Sequence, residues 1–108
     1  MTEPAQRAEL PLACTLGPAD GAGRSRRWRQ LAAGAAPVAR RTGGRLEVRY
    51  QPGPGVLDEL RALATAEAEC CSFAAWAVTE QAGDPTLVVS APADAPGNVE
   101  PIAAMFGV

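Results

Sequence analysis

The chain predicts an α+β fold: a two-layer sandwich with a mixed sheet of about four strands and the helices on one face. Three observations lead there. Short apolar-alternating stretches are interleaved with segments of helical periodicity, in the order strand–helix–strand–helix–strand–strand–helix. Strands separated by helices imply right-handed crossovers and a partly parallel sheet. A length of 108 residues suits one small domain with a modest core. That domain is expected to span 10–108, behind a loose polar tail at 1–9.

Taken in order, Leu10 to Leu16 read as the first strand, with Leu10, Leu12, Cys14 and Leu16 on one face and Pro11 suiting a strand start or an edge. The run from Gly17 to Gly23 reads as a flexible connection, without the spacing of a phosphate-binding loop. Arg24 to about Ala35 read as a helix with Trp28, Leu31 and Ala35 on one face, ended by Pro37. The arginines 24, 26, 27 and 29 at its start read as a solvated surface. Arg45 to Tyr50 read as a strand, with Gly43-Gly44 marking a turn or bulge before it and leaving room for a short hairpin. A second helix is expected from Val56 to Cys71, then strands at Phe73 to Glu80 and Thr86 to Ala91 joined as a hairpin. Asn98 reads as the cap of a short last helix over Val99 to Phe106.

Composition bounds the chemistry. Hydrophobic residues make up 47% of the chain, yet many are alanine and only 5% of residues are aromatic, so a second copy could complete the core. The net charge of −2 gives no global reason to expect a nucleic-acid partner or an anionic membrane. All the basic residues are arginine, a bias that matches a high-GC genome, and there is no histidine. The missing histidine removes the usual general acid/base and every histidine-containing triad or zinc site. With no secretory pattern at the N-terminus and no long apolar run, the sequence is expected to be cytoplasmic. Three cysteines, an odd number, fit reduced thiols better than a disulfide framework.

The densest chemistry lies in Glu67-Ala68-Glu69-Cys70-Cys71-Ser72-Phe73. On a helical wheel Leu57, Leu60, Leu63, Ala64, Glu67, Cys70 and Cys71 fall in one arc of roughly 120°, the width of a core-facing stripe. Glu67 lands near its middle, and a carboxylate facing a core is costly unless paired. An arginine such as Arg49 is one candidate partner. Cys14, pointing inward from the first strand, and Cys70 and Cys71, ending the second helix, can meet Glu67 at one end of the core. Thiolates with a carboxylate suit a soft ion: Hg(II), Cu(I), As(III) or Zn(II). A second use of the same residues is cysteine-dependent catalysis, persulfide transfer or organometal cleavage, with Cys71 as nucleophile and Glu67 as acid/base. A third reading takes the cysteines as small apolar filler in a module that binds a protein or a non-metal ligand.

The strings Leu12-Ala13-Cys14-Thr15-Leu16, Arg27-Trp28 with Leu31, Glu67 to Phe73, Ala91-Pro92 and Met105-Phe106-Gly107 resemble a family of small bacterial proteins. That family occurs as single domains and as segments fused behind MerR-type metal-responsive DNA-binding domains. Its most specific piece is Glu-x-x-Cys-Cys-x-Phe with the upstream cysteine, and all three cysteines of this chain fall on family positions. The resemblance implies a thiol-based role connected with metals or metalloids. The glycine-rich run from Gly17 to Gly23 departs from the family pattern, which has a firmer helix start there.

Overall fold

The computed structural model describes residues 18–70 and 73–108, with side chains at 23–69 and 73–108. Its elements are α1 (Pro18–Ala35), β1 (Val38–Thr42), β2 (Arg45–Arg49), α2 (Val56–Cys70), β3 (Ala75–Gln81), β4 (Asp84–Ser90), a 3-10 turn (Pro96–Val99) and α3 (Glu100–Met105). The expected tail at 1–9 and the expected strand from Leu10 to Leu16 lie outside the described residues.

The architecture is α+β, with the four described strands in one sheet of order β1-β2-β4-β3. Every pairing among them is antiparallel, which corrects the expectation of a mixed sheet. The crossover through α2 does return the chain in the direction of β2, since β2 and β3 are both antiparallel to β4. They do not touch, however, because β4 folds back between them. The β3–β4 turn is two residues, Ala82 and Gly83, with φ of 54° and 86°. Both values are positive, as a hairpin turn twisted to match its strands requires. The β1–β2 turn uses Gly43 at φ 58°.

Two other boundaries differ from expectation. Helix α1 begins at Pro18, so most of the supposed glycine connection is helical. Proline suits a first helical turn because its φ is preset and its missing N–H has no partner to lose there. Each glycine costs the helix roughly 1 kcal/mol, which packing along the rest of the 18-residue element offsets. At the other end, Asn98 caps nothing: its Nδ2 donates to the Phe73 carbonyl at 2.9 Å, tying the C-terminal segment to the approach to β3. The last helix is six residues behind the 3-10 turn.

One face of the sheet carries the core. Leu46 and Val48 of β2 pair across from Val89 and Leu87 of β4, and all four are fully buried. Onto them pack Trp28 and Leu31 of α1, Leu60 and Leu63 of α2, and Ile102 of α3. The other face bears Arg45, Glu47 and Arg49, with Arg45 and Glu47 paired at 3.0 Å.

The chain path fixes how the helices run. It reverses at Ala36 (φ 42°) into β1, reverses again into β2, and reverses a third time into α2. Helices α1 and α2 are therefore antiparallel. The Gln51 N–H donates to the Ala35 carbonyl at 2.7 Å, so the end of α1 sits beside the chain about to enter α2. Arg27 holds Glu59 through two 2.8 Å hydrogen bonds. That pair joins the middle of α1 to the first turn of α2. Among the described residues, no helix is long and apolar enough to cross a membrane.

Tyr50, just past β2, is 1% exposed, and its hydroxyl has no hydrogen-bond partner among the described residues. Burial pushes its pKa far up. An unsatisfied buried hydroxyl costs about 1–3 kcal/mol. Tyr50→Phe is therefore expected to raise unfolding stability by about 1 kcal/mol, read as a higher denaturant midpoint at unchanged slope.

Candidate functional site

Glu67 sits in the penultimate turn of α2 on the stripe that buries Leu60, Leu63 and Ala64, and its side chain is 0% exposed. The inward carboxylate expected from the helical wheel is therefore present. Two residues of α1 answer it. The Trp28 indole Nε1–H donates to Oε2 at 2.9 Å. The Arg24 Nε lies 3.4 Å from the same oxygen, with the Arg24 side chain only 10% exposed. Trp28 is itself braced edge-on by Phe106, ring centroids 5.7 Å apart. The cluster thus ties α1, α2 and the segment after α3 together at one end of the core.

The expected partner was wrong. Arg49 stands on the opposite sheet face, where its Nη2 donates to Gln81 at 3.0 Å. Arg24, read from sequence as part of a solvated arginine surface, is the buried one, while Arg26, Arg27 and Arg29 do stay exposed. The signal was present: Arg24, Trp28, Leu31 and Ala35 recur at spacings of four, three and four, one continuous helical stripe. Arginine at the head of such a stripe is easily assigned to solvent because it is seldom buried unless paired.

The cluster is only partly satisfied. Glu67 Oε1, and Arg24 Nε and Nη2, are buried without a hydrogen-bond partner among the described residues. Burial pushes the Glu67 carboxyl above its ordinary value; the Trp28 N–H and the Arg24 charge pull the other way and do not cancel it. The arrangement offers a carboxyl group with one oxygen anchored and the other without a partner among the described residues, beside a permanently charged guanidinium.

The cysteines stand differently. Cys70 is the last residue of α2, and its side chain lies outside the described residues, as do Cys14 and Cys71 entirely. Among the described residues no group of three or more His, Cys, Asp or Glu side chains gathers as a metal site. Of the aromatics considered as pocket walls, Trp28 and Tyr50 are core, and Phe73 packs against the core. Trp76 lines an open groove of about 430 Å³ between α2 and β3, with Arg61 and Glu69 also on its walls.

No family model, no curated protein and no solved structure matches this chain.

A raised carboxyl pKa in the fold means that the native state holds a proton where the unfolded chain has lost it. The stabilisation this gives is complete below the ordinary value of 4.5 and is lost as pH rises toward the folded value. Glu67→Gln cannot titrate. The stability of the wild type minus that of Glu67→Gln is therefore expected to fall as pH rises from about 4 and then level off. Denaturant titrations at several pH values test this; a flat or rising difference would contradict the buried, raised carboxyl.

Proposed function

We propose that this is a cytoplasmic thiol-based binding protein for a soft metal, metalloid or organometal, with Cys14, Cys70, Cys71 and Glu67 as its site. The observation that carries the reading is the Arg24–Glu67–Trp28 cluster, partly satisfied among the described residues, where the middle of α1 meets the end of α2. Cys70 and Cys71 follow Glu67 by three and four residues, about one helical turn. Cys14 precedes Pro18 by four residues, and chain connectivity keeps it within about 14 Å of that helix start. Cys70 and Cys71 are thus close to Glu67 in sequence, and Cys14 precedes the helix that supplies Arg24 and Trp28. A helix C-terminus disfavours a bare thiolate, so a bound cation is what would stabilise one there. Kinship with the family fused to MerR-type regulators belongs to the same proposal.

One observation favours the enzymatic alternative as well. Glu67 Oε1 has no partner among the described residues, and burial favours the protonated form of the carboxyl. In organometal cleavage the thiolates would hold the metal while the carboxyl proton goes to the departing carbon, whose bonding pair it takes; the metal stays on sulfur. Binding is common to both readings, and only turnover separates them.

Native mass spectrometry of the reduced chain with Hg(II), Cu(I) and Zn(II) tests the proposal. One tight equivalent of at least one ion is expected, lost on replacing Cys70 and Cys71 together by serine. Glu67→Gln is expected to weaken binding by roughly 10–100-fold, as removal of an orienting neighbour does. No tight complex with any of the three ions would end the proposal.

A further inference from the structure

We propose that this chain pairs with a second copy of itself through the outer edge of β3 and the adjoining stripe of α2. The inference does not depend on the thiol-binding reading. Strand β3 ends the sheet, and among the described residues no strand pairs with its other edge. The β3–β4 register says which groups that edge offers. Gln81 and Asp84 close the two-residue turn as a hydrogen-bonded pair, and such pairs alternate along an antiparallel ladder. Thr79 therefore bonds across to Thr86, while Val78 and Glu80 turn their N–H and C=O away from β4. Pro85 fits this phase. It has no N–H to give Glu80 opposite, and its carbonyl accepts from the Tyr50 N–H at 2.8 Å on its other side.

The two edges of the sheet are built differently. Strand β1 is five residues long and carries Arg40 and Arg41, and charged side chains are a common guard against edge-to-edge pairing. Strand β3 is seven residues long, and Glu80 is its one charge. The helix beside it carries a matching surface. Arg61, Thr65, Ala68 and Glu69 recur at i, i+4, i+7 and i+8, one face of α2, and all four are exposed on the wall of the groove next to β3. Arg61 stands four residues before Thr65 and Glu69 four residues after it. Neither charge has an ion-pair partner among the described residues.

These features are self-complementary about a two-fold axis. A second copy laid antiparallel on the β3 edge extends the sheet and brings its own α2 antiparallel to the first, on the same face. Arg61 of each copy then faces Glu69 of the other, with the small Thr65 and Ala68 between them where the helices come closest. Opposite charges spaced evenly about one residue meet their opposites under a two-fold rotation, as an isologous contact requires. A foreign peptide would use the strand edge but gives no reason for that even spacing. The second copy also covers Val78, which is only half-buried in a chain with few large apolar side chains.

The test is sedimentation equilibrium of the reduced full chain, with amide hydrogen exchange read at high and low protein concentration. A species of twice the 11.1 kDa chain mass is expected, its Val78 and Glu80 amides protected at high concentration and exchanging on dilution. Arg61→Glu alone, or Glu69→Arg alone, sits at an exposed position and leaves the core intact. Each is expected to raise the dimer dissociation constant by roughly tenfold, because symmetry counts the altered pair twice. Combining the two restores opposite charges and is expected to return the constant to within about threefold of the wild type. A chain that stays monomeric at every concentration overturns the proposal. If the Val78 and Glu80 amides are nonetheless protected in that monomer, another part of the same chain covers the edge; if they exchange, the edge is open. A dimer in which the single reversals change nothing, or in which the Val78 amide stays unprotected, makes its contact elsewhere and overturns the proposal as well.

Discussion

The burial of Glu67 is the constraint from which the rest of this molecule's functional end is arranged. A carboxyl group with no exposed surface needs partners, and α1 supplies them from two successive turns, Trp28 and Arg24. That requirement helps fix the position of α1 against α2, together with the Arg27–Glu59 pair nearer solvent. The surface pair is worth little by itself, as exposed ion pairs generally are. The buried one behaves differently: removing one partner strands a charge in the core, at a typical cost of about 3–5 kcal/mol. A well-packed apolar set of the same volume would often be as stable or more so. The binding role proposed above gives one reason for a polar cluster at this place rather than an apolar one.

The topology explains why this end of the molecule collects chemistry. The course of α1 against α2 brings the middle of the first helix to the end of the second. The chain then passes through 71–72 and reaches β3 at Ala75, close by in sequence. Asn98 pins the C-terminal segment to Phe73 on that same approach. The end of α2, the approach to β3 and the Asn98 tie thus lie near a cluster whose polar groups are only partly satisfied among the described residues. At the opposite end, the Ala35–Gln51 hydrogen bond closes the junction beside the buried Tyr50.

The sequence made the α+β class readable, because strand alternation in β2, β3 and β4 and the apolar stripe of α2 are strong local patterns. It was less informative on pairing. Val38–Thr42 contains two arginines and one weakly buried alanine, so the period-2 signal that marks a strand is missing from β1. Without β1 and the insertion of β4 between β2 and β3, two crossovers read as a partly parallel sheet. Helix α1 was read too short because glycines outvoted a proline that suits a first turn. At the site, Glu67 was legible from its place on the wheel. Its partner was not, since choosing Arg24 over Arg49 depends on which face of the sheet each element covers, a tertiary fact with no local signature.

The central claim is that the buried carboxyl and the thiols form one site. The most direct measurement is carbon NMR of the glutamate side-chain carboxyls, with Glu67 assigned by substitution, before and after one equivalent of a thiophilic ligand. The account predicts that the Glu67 resonance moves while those of surface acids such as Glu47 and Glu80 stay in place. A ligand that saturates the thiols and leaves the Glu67 resonance unmoved would show that acid and sulfur act apart, and would contradict the account.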